Sequence, residues 1–258
     1  MQLVVDVGNT ETVVGLIEGT TDLKAHWRLS TPVPRTVDEY RHLLGALLAE
    51  SDAGAPRAAI VGSVVPDATA VLVPTLEALV DGPVLVVHPD SGLSIRLDVE
   101  EPRSVGADRV VNTLAARELY GRDTIAVDLG TATTFDLITA DGVFMGGVIA
   151  PGVSAGLEWL GRRTAKLPRV DLVPPSATIG RRTETCIQSG VFYAAVDAVD
   201  GIVRRIIAEW GRPDPYVVAT GGFATVIAPH CVTVQHIEPF LTLYGLAIAG
   251  REMRARER

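Results

Sequence analysis

The sequence predicts an α/β protein made of two similar domains, each a mixed sheet flanked by helices. Three observations predict it. The stretch VVDVGNTETVVGLIEG at 4–19 returns as AVDLGTATTFDLITADG at 126–142, so an apolar strand, a polar bend and a second strand occur twice. Short β-branched runs alternate with segments of helical spacing in both halves. The 258 residues, 47% hydrophobic with mean hydropathy +0.28, suffice for two modest cores.

In chain order, Leu3, Val4 and Val5 open a strand that ends at the polar bend 6–12, and residues 13–17 return from it before the Glu18-Gly19 turn. A third strand is expected around 24–29. Thr36 and Asp38 offer N-caps for a helix carrying Tyr40, Leu43, Leu44, Leu47 and Leu48 at helical spacing. Residues 58–65 read as a buried strand. Pro66 then opens a helix with Val71, Leu72, Leu76 and Leu79 on one face, and 83–87 return as another strand. The second half repeats the opening: a strand at 124–127, a polar loop at 128–134, strands at 135–138 and 143–149 around the Asp141-Gly142 turn. Helices follow near 153–160 and 183–210, then a strand at 216–219 and a last helix from about Leu241. The expected division is 1–114 and 115–258.

A net charge of -8 and a pI near 5.1 argue against a nucleic-acid partner, since Arg162-Arg163 and Arg181-Arg182 are too short to form a segregated basic patch. They do not exclude a phosphate substrate, because helix N-termini and oriented backbone amides bind anions locally. The two cysteines, Cys186 and Cys231, are too few for a disulfide framework or zinc site and are expected to be buried thiols. The five histidines show no metal-ligand spacing. The opening MQLVVDVGNT carries no basic leader, and no run reaches about 18 uninterrupted apolar residues, so no membrane partner and a cytoplasmic setting are expected.

The repeated bend carries the chemistry. A nucleoside triphosphate needs backbone donors for its phosphates and a carboxylate to hold a cation, and a bend rich in Gly and Thr supplies both. In the first bend Gly8 permits close backbone approach, Asn9, Thr10 and Thr12 offer side-chain donors, and Asp6 is placed to hold Mg²⁺ through water. Gly130, Thr131 and Asp128 repeat the pattern. One such bend reads equally well as an Asx turn closing a hairpin; two at matched strand ends argue for a clamp. Neither is a Walker A loop or a dinucleotide fingerprint. Asp108, at the head of a helix whose Val110, Val111, Leu114 and Leu119 are spaced for burial, reads on its own as a first-turn residue complementing the helix dipole.

The motifs DVGNT at 6–10, GADR at 106–109, DLGTATT at 128–134, GGVIAPG at 146–152, TAKLPR at 164–169 and TGG at 220–222 run nearly end to end, and in this order the chain resembles the type III pantothenate kinases. That resemblance implies the fold of the acetate kinase, sugar kinase, heat-shock chaperone and actin superfamily: two ribonuclease-H-like domains with ATP in the cleft. It implies ATP-dependent phosphorylation of pantothenate, the first step of coenzyme A biosynthesis, with Mg²⁺ and K⁺ or NH₄⁺ as cofactors. Asp108 would be the general base, Asp128 would hold the monovalent cation, and Thr131 would contact ATP. Gly106, Ala107, Asp108 and Arg109 would line the pantothenate pocket with Thr183, and Gly221 and Gly222 would let the backbone approach the nucleotide, although they also suit a strand-to-helix turn. The family implies a homodimer, and Val191, Ala194, Ala195, Ala198 and Ile202 on the helix at 183–210 suit a close helix contact. The chain departs from the family at IRLDVEEP, 95–102, where Leu97 replaces a common Tyr and two residues are added. A kinase for another hydroxy acid or sugar, or a non-catalytic ATP-binding regulator, are the competing readings.

Overall fold

The computed structural model describes residues 1–51, 53–163, 167–212 and 214–256. It divides into two compact units, Met1–Leu119 with Asp141–Phe144 and Leu241–Arg258, and Tyr120–Ala140 with Met145–Phe240.

The first unit contains β1 (Gln2–Val7), β2 (Glu11–Glu18), β3 (Asp22–Ser30), α1 (Val37–Glu50), β4 (Ala59–Ser63), α2 (Pro66–Glu77), β5 (Val84–Val87), β6 (Arg96–Leu97) and α3 (Ala107–Tyr120). Its sheet runs β3-β2-β1-β4-β5, antiparallel through the first three strands and parallel from β1 through β4 to β5. Thr36 caps α1 in a full capping box with Glu39, which satisfies amides that the helix start would otherwise leave open. Tyr40 and Leu44 of α1 and Leu72 and Leu76 of α2 then bury against Leu3, Val5, Val7, Val14 and Leu16 of the sheet.

The second unit contains β7 (Thr124–Leu129), β8 (Ala132–Ile138), most of β9 (Val143–Pro151), α4 (Val153–Arg163), α5 (Thr183–Trp210), β10 (Tyr216–Thr220), α6 (Ala224–Ile227) and β11 (His236–Ile237). Its strands run β9-β8-β7-β10-β11, the first unit's order strand for strand, with β7-β8 antiparallel and β7-β10-β11 parallel. The duplication expected from the sequence is therefore present in the topology. Ile125, Val127 and Phe135 of the sheet pack on Phe192, Val196, Val199 and Val203 of α5.

The expected boundary near residue 114 falls inside α3, and the last helix, α7 (Leu241–Arg256), belongs with the first unit, not the second half. Side-chain bonding explains why. The Thr242 hydroxyl bonds to the Asn112 carbonyl oxygen of α3 at 3.0 Å, and Gln2 of β1 donates to the Ala247 carbonyl at 3.2 Å. β6 escaped the sequence reading, and its two residues pair with Val143 and Phe144 at the start of β9, which also belong to the first unit.

Among the described residues α5 is long and apolar enough to cross a membrane, but it carries Glu184, Asp197, Asp200, Arg204, Arg205 and Glu209, and its apolar face lies in the core. Asp200, 7% exposed, accepts from the Thr233 amide (2.9 Å) and hydroxyl (2.7 Å) and from the Val232 amide (3.0 Å), with Arg204 at 3.8 Å. Burial works against its charge, yet the Thr233 and Val232 donors and Arg204 outweigh it and hold the carboxyl below its ordinary value. The stability it adds is thus present above the ordinary carboxylate range and is lost as pH falls through the lowered value. Asp200→Ala should cost about 2–3 kcal/mol at neutral pH, and urea unfolding should show that gap narrowing in acid.

Both cysteines were expected to be buried, but only Cys231 is; Cys186 sits exposed in the first turn of α5. Burial, then Asp200 and Asp197, push the Cys231 thiol up to about 12. Cys231 should therefore resist iodoacetamide in the native protein and react only after unfolding, as peptide mass mapping would show.

Candidate functional site

Asp6 and Asp128 are the penultimate residues of β1 and β7, each half-buried and each followed by a glycine-bearing bend. The Gly8 amide donates to the Glu11 carbonyl and the Gly130 amide to the Ala132 carbonyl, both at 3.0 Å, so the second bend closes one residue sooner. Asn9, Thr10 and Thr131 are exposed on these bends. Thr12 is not available as a donor to phosphate: it is fully buried and its hydroxyl bonds to that of Thr31 at 2.8 Å. Its position inside β2 points the side chain into the sheet's covered face, so it anchors the bend instead.

In the first unit the GADR segment comes to the same strand ends. The Val64 amide donates to the Val7 carbonyl at 3.1 Å, joining the loop after β4 to the residue beside Asp6. Val64 in turn limits the space at Gly106, where an added Cβ would come within 3.3 Å of it and would collide with the Asp108 carboxylate. Gly106 thus lets Asp108 fold back at the head of α3, where its Oδ1 accepts the Arg109 amide at 2.9 Å. Asp108 is half-buried, and the Arg109 guanidinium lies over the Phe144 ring at 4.9 Å. The arrangement offers a carboxylate, helix-start amides and a held cation at the carboxyl ends of β1 and β4, where open α/β sheets bind ligands.

In the second unit the TGG segment meets Asp128. Gly221 has φ +90°, and a Cβ there would collide with Asp128 Oδ1 and with the Leu129 backbone. The Phe223 amide bonds to the Leu129 carbonyl at 3.0 Å, locking this turn to the strand end. Gly222 follows, exposed. Gly152 packs on the carbonyls of Gly130 and Thr131, so GGVIAPG braces the second bend. These glycines bring bare backbone up to Asp128 and to the bend after it, a cradle that a Cβ would fill and that suits a bound cation. Among the described residues there is no cluster of three or more His, Cys, Asp or Glu arranged to hold a metal.

Thr183 is the exposed first residue of α5. The next turn, Cys186 and Ile187, lines an apolar cavity of about 660 Å³ that also touches Thr133, Pro151, Gly152 and Gly190. The cavity therefore extends from the bracing strand of the second bend to the start of α5. Of the TAKLPR motif, residues 164–166 lie outside the described residues, while Leu167 lines this cavity.

Two units of identical strand order, each ending its first strand in a carboxylate and a glycine-bearing bend, define the actin-like ATPase fold. A solved activator of the 2-hydroxyisocaproyl-CoA dehydratase from Clostridium difficile has the same fold, with a TM-score of 0.52 at 11% identity over 99% of this chain and 96% of that one. Within that class the sequence is specific: residues 2–205 match the type III pantothenate kinase family. The type III pantothenate kinase of Pelobacter propionicus is 44% identical over 250 residues, covering 96% of this chain and 98% of the relative. That of Syntrophotalea carbinolica is 46% identical over 257 residues, covering 96% and 97%. The chain belongs to the type III pantothenate kinase family.

Proposed function

We propose that the chain transfers the γ-phosphoryl group of ATP to the primary hydroxyl of pantothenate, the first step of coenzyme A biosynthesis. The family match over residues 2–205 and the 44% identity to a type III pantothenate kinase over 96% of the chain support the reaction. The observation that carries the mechanism is Asp108, folded back at the head of α3 beside a glycine that admits no side chain. An alcohol is a poor nucleophile at neutral pH, and a carboxylate within hydrogen-bond reach accepts its proton as the new O–P bond forms. The amides at Gly106 and Ala107 and the guanidinium of Arg109 receive the acceptor's carboxylate, with Thr183 as a further contact. Gly8, Asn9, Thr10, Gly130 and Thr131 cradle the phosphates; Gly221 and Gly222 admit the nucleoside.

Asp6 would hold Mg²⁺ and Asp128 would hold K⁺ or NH₄⁺; when bound, these cations would neutralise charge on the transferring group. The protein acts in the cytoplasm as a homodimer. The apolar cavity beside α5, its small residues Gly190, Ala194 and Ala198, and Trp159 on α4, 62% exposed, support a second copy as the occupant of that face.

A second acceptor reading rests on Leu97, which pairs with Phe144, the ring beneath Arg109, and brings no hydroxyl to that neighbourhood. ADP release coupled to a spectroscopic signal tests both. ADP should form with pantothenate and not with sugars or other hydroxy acids, and faster in K⁺ than in Na⁺. ATP binding without pantothenate-dependent ADP in any cation would reject the assignment.

A further inference from the structure

Thr220 ends β10 and is 1% exposed, yet among the described residues its hydroxyl has no hydrogen-bond partner. Buried hydroxyls nearly always find one, and leaving the bond unmade is costly. The sheet register indicates what the hydroxyl serves. Thr220 is the parallel partner of Asp128, and Asp128 is the antiparallel partner of Thr134. Register partners share a face of the sheet, so a hydroxyl, a carboxylate and a second hydroxyl stand in one row across β10, β7 and β8.

The duplicated unit supplies an internal comparison. The corresponding row there is Gly62, Asp6 and Val13: the carboxylate is kept and both hydroxyls are absent. The two aspartates thus occupy equivalent strand ends with different oxygen inventories. A carboxylate with no hydroxyl beside it in its row suits a small divalent cation that keeps its own waters. A large monovalent cation sheds water onto several protein oxygens. Gly221, immediately after Thr220, has its Cα so close to the Asp128 carboxylate that no side chain could intervene.

We propose that Thr220 Oγ1 is a direct ligand of the monovalent cation at Asp128. The inference rests on the reading of Asp128 as the monovalent-cation residue and adds to it a second side-chain oxygen, on a different strand. It also accounts for why the second unit, and not the first, takes the monovalent ion.

The test is thermal unfolding of the whole protein in KCl titrated against choline chloride at constant ionic strength, comparing wild type with Thr220→Val, Thr220→Ser and Asp128→Asn. Valine matches threonine in shape and removes only the hydroxyl. In choline alone, Thr220→Val should melt no lower than wild type, because the hydroxyl has no partner among the described residues to lose. The K⁺ concentration giving half of the wild-type stabilisation should rise about tenfold or more in Thr220→Val, and Thr220→Ser should restore it. If Thr220→Val responds to K⁺ as wild type does while Asp128→Asn does not, the ligand assignment is wrong and the Asp128 reading stands. A wild type indifferent to K⁺ overturns both. A Thr220→Val protein that melts lower in choline, with its K⁺ response intact, would mean the hydroxyl is structural.

Discussion

Asp108→Asn is expected to lower pantothenate-dependent ADP release by about 10²- to 10⁴-fold while leaving ATP binding close to that of wild type. Asparagine has the same shape, and its carbonyl oxygen can still accept the Arg109 amide that Asp108 Oδ1 accepts at 2.9 Å. The helix start and the space left by Gly106 are therefore preserved. What is lost is the capacity to take a proton from the acceptor hydroxyl. Circular dichroism would establish that the variant is folded, and equilibrium binding of a fluorescent ATP analogue would separate nucleotide affinity from turnover. A variant that binds ATP and turns over at the wild-type rate would move the base elsewhere.

Gly221→Ala should be severely damaging. At φ +90° an L side chain costs about 1–3 kcal/mol in backbone conformation alone. The added Cβ also meets Asp128 Oδ1 and the Leu129 backbone, and the backbone cannot swing aside. The strand end and bend must shift, and misplacement of that order can cost about 10²-fold in kcat/KM. Gly19→Ala is the control: its φ of +66° carries the conformational cost, but no atom lies within 4 Å of the added Cβ. Melting temperatures should fall for both variants, with kcat/KM and nucleotide affinity falling only for Gly221→Ala.

Much of this was legible in the sequence because it is local. Thr36 announces the N-cap that starts α1, and Pro66 marks the start of α2. The repeat of Asp6 and Asp128 at strand ends exposed the duplication, and the topology carries it through all five strands of each unit. What remained hidden depends on partners distant in the chain. β6 and β11 have two residues each and no periodicity; they exist because β9 and β10 pair with them. The place of α7 in the first unit depends on Asn112 and Gln2, neither a conspicuous core residue by type. Thr12 looked like one more donor in a polar bend, and only the packing of β3 shows its hydroxyl engaged by Thr31. Thr220 was visible merely as the residue before two glycines; its relation to Asp128 required the parallel register of β10 on β7.

The most direct test of the central claim follows the phosphoryl group itself. Purified protein is incubated with γ-labelled ATP, Mg²⁺, K⁺ and pantothenate, and the products are separated and identified by mass. The account predicts label on pantothenate as a phosphate ester of its primary hydroxyl, with the ester formed at a greatly reduced rate by Asp108→Asn. Label found only in unreacted ATP or free phosphate, with pantothenate recovered unchanged, would contradict it.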